Sequence, residues 1–190
     1  IAGVYDGINI KLMKCTGLRE ALRMKYRAWR YRLRLDPHEI RFMRKHLSPG
    51  DTVVDIGAHK GAYTYWMNQS VAPHGRVVCF EPQKQMAGYL ERMKTAVPME
   101  RIEVVNLALS SRRGEMTLAV PEGGPSPGAT LESGLIKGPH ILYLVGVTTL
   151  DDFFGADTPI KLIKVDVEGH EYDVFRGGER LLRKYQPVLL

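Results

Sequence analysis

The sequence predicts an α/β fold with a doubly wound, mostly parallel sheet. From residue 51 onward, short apolar stretches typical of strands covered on both faces alternate with stretches of helical periodicity. Three of the predicted strands end in a carboxylate, contributed by Asp55, Glu81 and Asp166. Because parallel strands end at the same edge of a sheet, we expect these three side chains to line one ligand crevice.

The predicted elements follow one another closely along the chain. They are a strand at 51–58, a helix at 61–71, a strand at 75–82, a helix at 83–97, a strand from Ile102 to Leu109, a strand at 115–120, one or two strands within 141–154, a strand at 160–167, a helix at 170–185 interrupted at Gly177 and Gly178, and a strand beginning at 187. Residues 121–139 are rich in Gly and Pro, which predicts either a functional lid or a disordered loop.

The composition is that of one soluble globular domain. The chain has 190 residues, of which 44% are hydrophobic and 25% are charged, and no apolar run is long enough to cross a bilayer. Its two cysteines, Cys15 and Cys79, lack the CxxC or His spacing of a metal site. We therefore expect a reduced, cytoplasmic protein.

Positive charge is concentrated at the N-terminal end. Residues 1–50 hold 12 Lys and Arg against 4 Asp and Glu, whereas residues 51–190 hold 15 against 17. Stretch 18–36 predicts either a helix that packs its apolar face on the core or a surface for an anionic partner, such as a nucleotide-linked substrate, nucleic acid or a membrane surface. The apolar face of that helix would consist of Leu18, Leu22, Tyr26, Trp29 and Leu33.

The loop after the first strand, "GAHKG", differs from a dinucleotide-binding loop. It has Gly57 and Gly61 but no third glycine, and Asp55 would repel a pyrophosphate. S-adenosylmethionine, which carries an ammonium group and no phosphate, fits better, with Glu81 accepting from its ribose hydroxyls. A nicotinamide or flavin enzyme is one alternative. Another is a structural turn in which Asp55 caps the helix and Glu81 is a solvated strand end.

Five stretches together resemble the FkbM-type methyltransferases: "VVDIGAHKGAYT", "GRVVCFEP", "VVNLALS", "TLDDF" and "IKLIKVDVEGHEYDVFRGGERLL". The resemblance implies a Rossmann-like class I methyltransferase domain at 37–190, S-adenosylmethionine as donor, and O-methylation of a sugar or secondary-metabolite hydroxyl. Residues 1–36 then form a basic helical N-terminal extension or cap. The sequence ends at Leu190, before the usual terminal antiparallel hairpin, so either it is truncated or the sheet is completed in another way; an exposed apolar sheet edge would favour a homo-oligomer.

The same resemblance assigns cofactor-binding residues. It places five residues around the methionine part, Glu81 on the ribose, Asn106 and Ala108 along the adenine, and Ser133 over the cofactor. The five around the methionine part are Asp55, Gly57, Ala58, Gly61 and Thr64. His59 stands where many relatives have Asn, so its backbone contact is expected to persist while its side-chain role stays open.

Candidate catalytic residues lie in the "KVDVEGHE" segment. Asp166, Glu168 and His170 form the cluster expected near the transferred methyl group, where an acceptor hydroxyl must lose a proton. Asp166 serves either as this base or as a cofactor or loop contact, and Glu168 and His170 either join it or anchor the segment to the following helix. No third metal ligand is evident, so we expect no metal.

Three functions remain open from the sequence. The first is an O-methyltransferase acting on a small-molecule or glycan acceptor. The second is an RNA-directed methyltransferase, suggested by the cations at 19–34, and the third is a non-catalytic module that keeps the fold. Acceptor choice would depend on residues 1–36 and 121–140, which carry no motif that identifies the acceptor.

Overall fold

The computed structural model describes residues 17–135 and 137–190. Its helices are α1 (17–30), continued by a π-helical turn (Tyr31–Leu35), α2 (Pro37–His46), α3 (Ala62–Val71), α4 (Lys84–Ala96), α5 (Leu150–Phe154), α6 (Glu171–Arg176) and α7 (Glu179–Tyr185), with a 3₁₀ turn at Ser133–Leu135. Its strands are β1 (Thr52–Ile56), β2 (Arg76–Phe80), β3 (Ile102–Val105), β4 (Ala108–Leu109), β5 (Gly114–Pro121), β6 (His140–Thr148), β7 (Leu162–Val165) and β8 (Val188–Leu189). Within these described ranges, no helix is both long and apolar enough to span a bilayer.

Five parallel strands form the central sheet, in the order β3-β2-β1-β7-β8. Successive residues of β1 point to opposite faces, so Val53 packs in one core cluster with α1 to α4, while Val54 and Ile56 pack in a second cluster with α5 to α7. Both faces of the sheet are therefore covered by helices. This arrangement confirms the doubly wound, mostly parallel fold predicted from the apolar strands.

A smaller sheet, in the order β4-β6-β5, is inserted after β3. Strands β5 and β6 pair antiparallel, and β4 adds two residues parallel to β6. The predicted single strand from Ile102 to Leu109 is therefore wrong. The chain leaves the central sheet at Asn106, whose carboxamide donates to the backbone oxygens of Glu81 (2.8 Å) and Pro82 (3.0 Å) and ties the bend to the end of β2.

Helix α1 packs on the core through a face that the sequence did not predict. Ala21, Met24 and Ala28 are buried, and the indole of Trp66 donates to the Ala28 carbonyl (2.8 Å). Because the alanines are short, α1 lies close to α3 on this side. The predicted packing face is wrong, since all five of its residues are at least 45% exposed: Leu18, Leu22, Tyr26, Trp29 and Leu33.

The predicted division into a cap at 1–36 and a domain at 37–190 stays a prediction. Residues 1–16 lie outside the described residues. Within the described part, the buried residues of α1 belong to the same core cluster as Val53 of the central sheet.

Candidate functional site

A cavity of about 550 Å³ opens at the carboxyl ends of β1, β2 and β7. Its wall is formed by the β1–α3 loop, by β4 and part of the irregular loop after β5, and by α1 and α2. Asp55, Glu81 and Asp166 all line it, so the fold brings together the three strand-end carboxylates that the sequence singled out. Its size is that of a small-molecule site.

Asp55 is a fully buried carboxylate with one unsatisfied oxygen. Its Oδ2 accepts a hydrogen bond from the hydroxyl of Thr64 (2.6 Å). Its Oδ1 is buried and has no hydrogen-bond partner among the described residues. The Nζ of Lys164 lies 3.5 Å from this oxygen, which is longer than a typical hydrogen bond, so Oδ1 can still accept a hydrogen bond from a ligand. Asp55 does not cap α3, because its partner is a side-chain hydroxyl.

Lys164 is a buried cation between two of these carboxylates, and sequence reasoning missed it. It is the registered partner of Asp55 across β1 and β7, its Nζ lies 3.5 Å from Asp55 Oδ1, and the same Nζ donates to Asp166 Oδ2 at 3.3 Å. Burial alone would lower the pKa of Lys164, but the two carboxylates raise it above its usual value, so the amine is charged. The sequence shows that Lys164 and Asp166 are two residues apart, but the pairing of Lys164 with Asp55 follows only from the register of β1 and β7.

The β1–α3 loop approaches β7 closely at Gly57. This residue has φ +77°, and a Cβ there would lie 2.0 Å from the backbone oxygen of Asp166, so only glycine fits. Gly61, in the same loop, packs on Leu90 and Met24 rather than lining the cavity. A Cβ at this position would lie 2.8 Å from either side chain. Gly61 thus shapes the loop rather than the cavity surface.

His59 lines the cavity in a left-handed backbone conformation, with φ +46°. Among residues other than glycine, Asn, Asp and His adopt that region most readily, so a histidine is tolerated here. Burial and then the neighbouring cations Lys60, Arg27 and Lys164 lower the pKa of His59 to about 4, so its imidazole is neutral at physiological pH. Its Nε2 is buried without a hydrogen-bond partner among the described residues.

Glu81 is buried at the end of β2, which excludes the alternative of a solvated strand end. Its two carboxylate oxygens accept from the backbone N–H groups of His59 (2.7 Å) and Gln83 (2.8 Å). Burial raises the pKa of Glu81 to about 7, although these two bonds act in the opposite direction. The carboxyl group is therefore partly protonated near neutral pH.

The apolar part of the cavity lies beside β4. Ala108 of β4 lines it, as does Ala58 of the β1–α3 loop. The structure does not bring Asn106 to the cavity, because its carboxamide is bound to backbone oxygens at the end of β2. Ser133 begins the 3₁₀ turn in the irregular loop, and its predicted cofactor contact stays a prediction.

The irregular loop is tied to the cavity rim at two places. The Gln83 carboxamide donates to the Ser126 backbone oxygen (2.9 Å) and accepts from the Ser126 N–H (3.0 Å). At the other end, the buried His170 pairs its Nδ1 with Glu132 (2.7 Å) and its Nε2 with the Ser110 hydroxyl (2.9 Å). His170 therefore links the loop, through Glu132, to the end of β4, through Ser110.

Glu168 lies apart from the other two candidate catalytic residues. It is exposed and lines a separate depression on the outer side of the loop, while Asp166 borders both that depression and the main cavity. Its backbone oxygen accepts from the hydroxyl of Thr130 (2.8 Å). The three residues thus do not form one cluster facing the main cavity.

One wall of the cavity comes from α1 and the start of α2, which motif reasoning did not connect to the site. Tyr31 and Tyr63 stack edge to face, with ring centroids 6.1 Å apart, and the Tyr63 hydroxyl donates to Asp36 (2.9 Å). Burial first, and then this hydrogen bond, raise the pKa of Tyr63 above its usual value, which keeps the hydroxyl protonated. Aromatic rings next to a carboxylate suit a hydroxylated ligand.

Comparisons with known proteins agree on one family. A family model described as the methyltransferase FkbM domain matches residues 55–190. The chain is 27% identical to 2-O-methyltransferase NoeI of Sinorhizobium fredii, in a match covering 88% of this chain and 75% of that protein. It is also similar to the crystal structure of methyltransferase FkbM from Methylobacillus flagellatus, with a TM-score of 0.51, 18% identity, and coverage of 97% of this chain and 48% of that one. The chain thus spans about half of that solved protein, and at this identity the likeness shows the fold alone.

Replacing Lys164 by Met should destabilise the protein by about 3–5 kcal/mol, because Asp55 would be left buried without a counter-charge. Urea unfolding of the variant and of the wild-type protein measures this loss of stability.

The matched control is Lys161→Met, at an exposed lysine directly before β7, which should change stability by less than about 0.5 kcal/mol. Equal stability of the two variants would contradict the role of Lys164 as the counter-charge.

Proposed function

Because this chain belongs to the FkbM methyltransferase family, we propose that it uses S-adenosylmethionine to methylate a hydroxyl group of a sugar or secondary metabolite. Family membership confirms the resemblance carried by the motifs, and it makes the chain a methyltransferase enzyme rather than a non-catalytic module. The 2-O-methyltransferase among its relatives supports oxygen as the methyl-accepting atom.

The observation that carries this proposal is the buried Asp55 carboxylate, which lines the cavity and whose Oδ1 has only a long contact of 3.5 Å with Lys164. A buried carboxylate attracts an ammonium group and repels a diphosphate, so the floor fits S-adenosylmethionine better than a nicotinamide or flavin dinucleotide. Glu81 supplies the second acceptor, at the end of the neighbouring strand. These two carboxylates suit the amine and the ribose hydroxyls of one ligand.

The remaining parts of the cofactor also find suitable partners. Ala62 and Tyr63 line the cavity at the start of α3, where backbone N–H groups without helical partners suit the carboxylate. Ala108 and the apolar residues around it suit the adenine ring. When bound, S-adenosylmethionine supplies an electrophilic methyl group on a positively charged sulfur.

We assign Asp166 the task of accepting the proton from the acceptor hydroxyl. Its carboxylate borders the cavity, and its bond to Lys164 fixes one oxygen. His170 is less suited to this task, because both of its nitrogens are bound to other residues. Glu168 faces the outer depression. A base near the acceptor contributes typically about 10²- to 10⁴-fold to a rate.

The α1–α2 wall supports a hydroxyl-rich acceptor. Tyr31 and Tyr63 offer ring faces, and Asp36 and Glu39 offer acceptor oxygens. Sugars present both apolar ring faces and hydroxyl donors, so this combination suits a glycan or sugar better than an apolar acceptor. The wall also contains Arg27, whose positive charge suits an acceptor that carries an anionic group.

Cofactor binding should depend on the ionisation of Glu81. Ribose hydroxyls donate to the ionised carboxylate, so the affinity for S-adenosylhomocysteine should fall below about pH 7, by at most about tenfold per pH unit, and level off above it. Glu81→Gln should bind more weakly and lose this pH dependence. Calorimetry with S-adenosylhomocysteine at several pH values measures both.

Glu103→Gln provides the control, because Glu103 lies at a partly exposed position on β3, where it is bound to Arg76. This variant should bind S-adenosylhomocysteine with the same affinity and the same pH dependence as the wild-type protein. If the wild-type protein does not bind S-adenosylhomocysteine at all, the proposed function is wrong.

Asp166→Asn should lower kcat by about 10²- to 10⁴-fold while the affinity for S-adenosylhomocysteine changes little. The measurement is transfer of a labelled methyl group from S-adenosylmethionine to a panel of sugars and hydroxylated metabolites. Glu168→Gln, in the outer depression, should keep most of the activity. A variant with weakened cofactor binding and normal turnover would show that Asp166 is a cofactor contact rather than a base.

A further inference from the structure

Helix α1 and the π-helical turn that follows it present a continuous apolar stripe to solvent. The stripe consists of five residues that are four, four, three and four positions apart, which places them on one side of a helix: Leu18, Leu22, Tyr26, Trp29 and Leu33. Their exposed fractions run from 45% for Trp29 to 70% for Tyr26. The buried Ala21, Met24 and Ala28 lie on another side of α1. The large apolar residues of the stripe are therefore not the ones that pack on the core.

Exposed cations flank this stripe on both sides. At about 100° per residue, Arg19, Arg23 and Arg30 project beside one edge, and Lys25 projects beside the other. All four belong to the exposed residues of the helix. An apolar stripe bordered by Lys and Arg is the pattern of a helix that lies in the interface of an anionic membrane.

The stripe is held on a rigid support. Trp29 packs edge to face on Trp66 of α3, with ring centroids 5.0 Å apart, and the guanidinium of Arg32 lies 4.9 Å from the Trp29 ring centroid and 4.5 Å from that of Trp66. Met24 and Ala28 anchor the helix in the core cluster. The exposed face is thus already formed before any partner arrives, which lowers the entropic cost of docking.

From this arrangement we propose that α1 docks the protein on a lipid surface rich in anionic headgroups. The leucines of the stripe enter the boundary between headgroups and acyl chains, Tyr26 and Trp29 lie at the level of the headgroups, and the flanking arginines bind lipid phosphates. The proposal is independent of the methyl-transfer chemistry, because none of these stripe residues lines the cavity.

Charge and shape favour this occupant over two others. A second copy packing isologously through the same stripe would bring its rows of cations against each other, which is unfavourable. RNA would match the cations, but base stacking needs ring faces, and three of the five stripe residues are leucines. A lipid interface satisfies both the aliphatic side chains and the cations.

Co-sedimentation of the full chain with vesicles tests this inference. The chain should bind vesicles of phosphatidylcholine mixed with phosphatidylglycerol, bind poorly to phosphatidylcholine alone, and show a blue shift in tryptophan emission on binding. Leu22→Glu combined with Leu33→Glu should abolish binding, and each of Arg23→Gln and Arg30→Gln should lower the affinity roughly fivefold. Thermal unfolding checks that these exposed substitutions leave the fold intact.

Leu144→Glu is the matched control, because Leu144 is 69% exposed on β6, away from α1. The Leu144→Glu variant should bind the mixed vesicles with the same affinity as the wild-type protein. Vesicle binding that survives the two leucine substitutions, binding of single-stranded RNA with none to vesicles, or a dimer that the same substitutions dissolve would each overturn the proposal.

Discussion

The site depends on one buried charge pair that joins β1 to β7. Asp55 and Lys164 are registered neighbours in the sheet, both almost inaccessible to solvent, and Asp166 lies within reach of the same ammonium group. A buried carboxylate is tolerated only when a counter-charge compensates for its lost hydration. Lys164 therefore supplies the counter-charge for Asp55 beside the cavity. The 3.5 Å separation still leaves one oxygen of Asp55 without a hydrogen bond, which a ligand amine would satisfy.

Around this pair, the fold assembles the cavity from distant parts of the chain. The sheet supplies the carboxylates, the irregular loop is fastened over the rim through Gln83 and His170, and α1 supplies a wall through Arg27 and Tyr31. The loop is thus held by side chains at the ends of the same strands that carry the site. In the proposed enzyme, such closure helps to exclude water from the reacting groups.

Periodicity was sufficient to predict the main architecture and the three carboxylates at the strand ends. Apolar runs on both faces identify central parallel strands, and such strands place Asp55, Glu81 and Asp166 at one edge.

Lys164 was missed because a lysine within an apolar strand carries no motif, and its partner across the sheet is known only from the register. The face of α1 was missed because the short Ala21 and Ala28 permit close packing, which outweighs the larger apolar side chains opposite. The third strand ends before Asn106, whose carboxamide donates a hydrogen bond to the backbone oxygen of Glu81. No local sequence pattern predicts this hydrogen bond.

In the proposed enzyme, the Asp55 carboxylate holds the amine of a phosphate-free nucleoside. A crystal structure of the protein with S-adenosylhomocysteine is the sharpest test. The ligand amine should lie within about 3 Å of Asp55 Oδ1, and the ribose hydroxyls should donate to Glu81. A ligand bound elsewhere, or bound in the cavity with its amine turned away from Asp55, would disprove this role of the carboxylate.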